Sequence, residues 1–127
     1  MFQSILLPIH STRADTHRTQ TAINFSRNKI SHLIILSVTE SKSPSLHASQ
    51  AINYALTIVK DLIIKDDGVC DVLYRQGKPE FVICKIAEEL KVDLIVMGAK
   101  GVDLLQDSKS TISKVLQDAS CPVLIVP

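Results

Sequence analysis

The chain alternates between short runs that are apolar throughout and longer stretches in which apolar residues recur every three or four positions. Five short runs stand out: SILLP at 4–8, LIILSV at 33–38, VCDVLYR at 69–75, DLIVM at 93–97 and PVLIV at 122–126. Uninterrupted apolar strands are what a parallel sheet covered on both faces requires. The third run alternates apolar with polar residues and reads as a less buried strand, and the first is expected to stop at Pro8.

The longer stretches have helical spacing. In 79–91, Val82, Ile83, Ile86, Ala87 and Leu90 share one face, and Pro79 suits a first helical position, where an N–H is not needed. In 110–119, Ile112, Val115, Leu116 and Ala119 form a stripe, with Ser108 or Ser110 as cap. A third helix is expected over 45–65, capped by Ser45, and a weaker one over 15–28. Strand and helix repeated in this order predict an α/β fold: a three-layer, doubly wound, Rossmann-like sheet of five parallel strands with about four helices, built as one domain over 1–127. In such folds ligands bind beyond the carboxyl ends of the strands, where the strand order reverses. The loops HSTRAD, TESKSPS and GAKGVDLLQDSK are therefore the ones that matter.

Composition narrows the function. The formal net charge is +1, basic residues are scattered, and three Phe and two Tyr are too few for a base-stacking surface, so no nucleic-acid partner is expected. No apolar run approaches the roughly 20 residues of a membrane span. The start, MFQSILLPIHS, lacks a basic leader. Cys70, Cys84 and Cys121 have no CxxC spacing and read as buried thiols of a reducing compartment, which makes the cytoplasm the expected location. His17, His32 and His47 read as surface or helix-end residues, Asp15 as a cap of the first helix, and Glu88, Glu89, Lys85 and Lys91 as a solvated helix face. No metal site and no catalytic constellation can be argued from spacing, and the Walker pattern GxxxxGK[ST] is absent.

ILLPIHST, VDLIVMGAKG and SKSTISKVLQDASCPVLIVP, with HLIILSVTES and QGKPEFVICKIAEELKVD between them, resemble the universal stress protein family over essentially the whole chain. The resemblance implies an adenine nucleotide alpha hydrolase-like fold and a site for ATP, with magnesium if bound, in those members that bind nucleotide. Their phosphate turn reads G-x-x-G, nine residues, then G and Ser or Thr, and an aspartate follows the first strand. Here Gly98 and Gly101 match the first pair and Ser110 the hydroxyl, but Lys109 stands at the later glycine. Only seven residues, Val102 to Ser108, precede that lysine, and His10 stands at the aspartate. A lysine where backbone should approach an anion, and a shorter loop, both weaken a triphosphate site.

The candidate binding residues are thus Pro8, His10, Val38, Met97, Gly98, Gly101, Lys109, Ser110 and Thr111. The leading reading is a non-enzymatic regulatory or binding module of the stress response in which nucleotide binding is weak or absent. The alternative is a genuine ATP-binding member with slow ATPase or phosphotransfer activity, using Lys109 and Ser110 on the phosphates. The last strand is apolar throughout, and at a sheet edge it would invite pairing. A homodimer through Val123, Leu124, Ile125 and Val126 is expected, as the resemblance also implies.

Overall fold

The computed structural model describes residues 3–10, 32–39, 53, 57, 69–98 and 110–126. They form five strands, β1 (Ser4–His10), β2 (His32–Thr39), β3 (Val69–Gln76), β4 (Leu94–Gly98) and β5 (Val123–Val126). Two helices complete the set, α1 (Pro79–Leu90) and α2 (Thr111–Asp118). All neighbours pair in parallel, in the order β3-β2-β1-β4-β5. The order reverses between β1 and β4, so the topological switch point lies there. The expected helices over 15–28 and 45–65 lie outside the described residues, apart from Asn53 and Thr57, which are helical.

The apolar runs divide their side chains between two faces, as a pleated strand must. On one face Leu6, Ile34, Leu36, Val38, Ile95 and Met97 pack with Ile83, Ile86 and Ala87 of α1, Ile112 and Val115 of α2, and Val92. On the other face Ile5, Leu7, Leu33, Ile35, Leu94 and Val96 are 5% exposed or less. Both faces are therefore covered, and the sheet is the middle of three layers. Each fully buried Leu or Ile contributes on the order of 1.5–3 kcal/mol before entropy is charged against it. β3 is the exception, with most of its residues exposed, as its alternation predicts for an edge strand.

α1 starts at Pro79, following an extended Lys78. It ends at Lys91, which adopts φ 51 in the left-handed region. Val92 N–H donates to the Ala87 carbonyl (3.1 Å) and Lys91 N–H to the Glu88 carbonyl (3.3 Å), which closes the helix with a Schellman turn. α2 is capped by Ser110, as expected. Two members of the expected apolar stripes are not buried: Leu90 is 46% and Leu116 47% exposed. Helical spacing gives the direction of a side chain, not whether a neighbour stands there, and Leu90 occupies the last residue of its helix. The three cysteines are free and half-buried rather than fully buried.

At the amino ends of the strands, the Asp93 carboxylate accepts the N–H groups of Gln3 (2.8 Å) and Ser4 (3.0 Å). The amides of Ser4 and then Gln3 hold its carboxyl below the usual aspartate range. His32 Nε2 and Asp71 Oδ2, 2.6 Å apart, join β2 to β3 at the same end. Among the described residues, these polar groups serve to close the sheet.

Candidate functional site

Toward the carboxyl ends the pairing differs from strand to strand. β1 pairs with β2 along its whole length, from Ser4–His32 to His10–Val38, and β4 pairs with β5 up to Gly98–Val126. Between β1 and β4, however, only Ile5–Leu94 and Leu6–Ile95 are in register. Beyond Leu6 no further pairing joins the two central strands, and the switch point between their tips, residues 7–10 and 96–98, is where such a fold places its ligand crevice. β1 was expected to stop at Pro8, yet it runs on to His10. Proline lacks only the N–H, and pairing with β2 does not need that one.

Of the nine candidate residues, the structure brings Pro8, His10, Val38, Met97, Gly98, Ser110 and Thr111 to the carboxyl end of the sheet. Gly101 and Lys109 lie outside the described residues, so the phosphate turn itself is not among them. Val38 and Met97 are 6% and 7% exposed and belong to the core. Their side chains fill the layer under α1 and α2, and what they present to a ligand is backbone. Pro8 is half-buried, and Gly98 is exposed at the tip of β4. For His10 the backbone alone is described, paired with Val38.

Ser110 is the polar group best placed at a helix start, where amides and the helix dipole favour anions. Its Oγ accepts the Ser113 N–H (3.1 Å), and its hydroxyl donates to Ser113 Oγ (2.9 Å). The Ser110 hydroxyl proton is thus taken by Ser113 Oγ, and the third amide of α2 by Ser110 Oγ.

Sequence reasoning missed two features of this end. Glu80, in the first turn of α1, lies 3.2 Å from Lys114 Nζ in α2, and its side chain is 12% exposed. Its own backbone amide first, then the Lys114 and Lys78 cations, hold its carboxyl below the ordinary range. Gly77, with φ 146, donates its N–H to the Thr39 carbonyl (2.9 Å) and ties the tips of β2 and β3 together. No sequence signal couples Glu80 to Lys114 across 34 positions, whereas the GKP step at 77–79 does mark a turn into a helix.

All three thiols are shifted toward the protonated form. Burial, then the Asp71 charge, pushes Cys70 up to about 11, and burial first raises Cys84 and Cys121 as well. No cluster of His, Cys, Asp or Glu able to hold a metal occurs among the described residues. No described helix is long and apolar enough to cross a membrane.

A parallel, doubly wound sheet with a switch point between β1 and β4 defines a class of domain that binds ligands at strand tips. The universal stress protein family matches the chain over residues 1–127. Universal stress protein Sll1654 of Synechocystis sp. is 31% identical over 136 aligned positions, covering 100% of this chain and 87% of that protein. Among solved structures, a universal stress protein in complex with cAMP is similar at TM-score 0.74 and 18% identity, over 98% of this chain and 96% of that one. The universal stress protein from Archaeoglobus fulgidus in complex with dAMP is similar at TM-score 0.67 and 17% identity, over 98% of each chain. The chain belongs to the universal stress protein family.

Proposed function

We propose that this protein is a non-enzymatic regulatory module of the cytoplasm whose crevice between β1 and β4 admits an adenine nucleotide weakly. The observation that carries the reading is the end of β1–β4 pairing after Leu6 and Ile95, at the switch point, with Gly98 exposed at the tip of β4. The relatives solved with cAMP and dAMP support a nucleotide of low charge as the ligand class. Triphosphate is disfavoured by three features: the Ser110–Ser113 cap turns donors inward, Lys109 stands at the later glycine of the phosphate turn, and that turn is short. No described group is poised as nucleophile, and a module of this kind acts by changing what it binds, not by turning substrate over.

The same reading includes a homodimer through β5. That strand lies at one edge of the sheet and carries no charge, with Val123, Leu124 and Ile125 half-buried and Val126 buried. The opposite edge strand, β3, carries Asp71 and Arg75, and Arg75 Nη1 donates to the Tyr74 carbonyl (2.9 Å). Charge and a capped carbonyl discourage pairing along β3, which leaves β5 as the edge suited to a twin.

Calorimetric titration with AMP, and with ATP with and without magnesium, tests the nucleotide reading. AMP binding in the range of tens to hundreds of micromolar, lost in Gly98→Val, is expected. Micromolar ATP binding with turnover would establish the ATPase alternative instead.

A further inference from the structure

We propose that Pro8 is a positioning residue that ends the β1–β4 ladder at the ligand site, by withholding from β1 the one amide that would join it to β4 at this level. The inference rests on the strand tips being the ligand site, and it concerns what leaves main-chain groups there for a ligand.

Hydrogen bonds on either side of β1 show which way each residue faces. The Gln3 carbonyl accepts the His32 N–H (3.0 Å), and the Ser4 carbonyl accepts the Asp93 N–H (2.9 Å). Main-chain groups alternate sides along a strand, so odd residues of β1 face β2 and even residues face β4. In β4, Ile95 N–H donates to the carbonyl of Pro122 (3.0 Å), the residue before β5, so residues 94, 96 and 98 face β1. With Leu6 opposite Ile95, the next rung requires the N–H of residue 8 to reach the Val96 carbonyl. Residue 8 is Pro, which has no N–H and puts a ring carbon where the hydrogen would be. The ladder ends at the preceding pair. On the β2 side Pro8 is not asked to donate, and pairing continues to His10.

Proline is ordinarily confined to edge strands, first strand residues and bulges. Here it lies in the interior of the central strand, at the level where pairing with β4 ends. The Val96 carbonyl thereby faces β1 with no N–H at residue 8 to receive, and the Gly98 N–H is the next donor of the interrupted ladder.

Two substitutions at this position test the inference. Pro8→Val restores the amide in a strand-forming residue. The α-hydroxy acid analogue of valine at the same position keeps the side chain but replaces the N–H by an ester oxygen. Amide hydrogen exchange of Gly98 and AMP affinity are read on both and on the natural chain. In Pro8→Val, Gly98 exchange should slow by at least about tenfold, as an amide drawn into the ladder does, and AMP affinity should fall at least about tenfold. The ester analogue should return both to the natural values. An unprotected Gly98 with undiminished AMP binding in Pro8→Val overturns the inference, as does an ester analogue that behaves like the valine amide. If no protein binds AMP while Gly98 is still protected in Pro8→Val, the ladder inference stands and the nucleotide reading falls.

Discussion

Gly77→Ala offers a perturbation whose size follows from two numbers. Gly77 has φ 146, a region closed to residues with a Cβ, and a Cβ built there would lie 2.8 Å from Val82 Cγ2. The backbone strain costs ~1–3 kcal/mol. Turning Val82 off its rotamer to relieve the contact costs a further ~0.5–1.5 kcal/mol. Reduced freedom of the unfolded chain offsets about 0.4–1 kcal/mol of this. The net expectation is a loss of roughly 2–3 kcal/mol, or about 8–12 °C in Tm for a domain of this size. Urea denaturation of Gly77→Ala, Val82→Ala and the double variant separates the two parts. Removing the Val82 methyls should recover about 1 kcal/mol of the alanine penalty, and the recovery appears as coupling in the cycle. Because the Gly77 N–H ties β3 to the Thr39 carbonyl, exchange at Gly77 should also quicken. A Gly77→Ala protein within about 0.5 kcal/mol of the natural chain would refute this account of how the β3–α1 turn is held.

Three other outcomes follow from single features. Substituting Leu124 and Val126 by Lys should give monomers or insoluble protein, and an unchanged dimer in analytical ultracentrifugation would remove β5 from the interface. Lys91→Gly, relieving the left-handed φ 51, should stabilise the fold by about 0.5–1 kcal/mol in urea titrations, and a loss would contradict the strain assigned to that residue. The depressed Asp93 carboxyl contributes stability that is complete above the ordinary aspartate pKa and is lost as pH falls through its lowered value. Asp93→Asn should therefore melt lower than the natural chain at neutral pH and equally at strongly acid pH; a gap that persists in acid would rule out the charge as its source.

The sheet was largely legible because its strands are buried on both faces, so the runs at 33–38 and 93–97 mark themselves without help from periodicity. α1 was legible for a similar reason, since Pro79 starts it and Ile83, Ile86 and Ala87 face one way. What could not be read was anything that depends on which side a main-chain group points. Pro8 looked like the end of a strand, when it ends pairing with one neighbour and not with the other. Leu116 looked buried because spacing gives only a direction. Of the site, Gly98 and Ser110 could be placed at one end of the sheet from the order of elements. The Ser110–Ser113 exchange of hydrogen bonds and the Glu80–Lys114 pair depend on rotamers and on packing between distant segments. A motif match records residue types and not whether their donors are already spent.

The proposed ligand site lies at the carboxyl-end tips of β1 and β4. Backbone amide chemical shifts followed during titration with AMP test it most directly. The account predicts saturable changes gathered at residues 7, 9 and 10, at 96–98 and at 110–111, with the amino-end residues Ser4, His32 and Asp93 still. Saturable changes centred on that opposite end, or none at millimolar AMP, would contradict it.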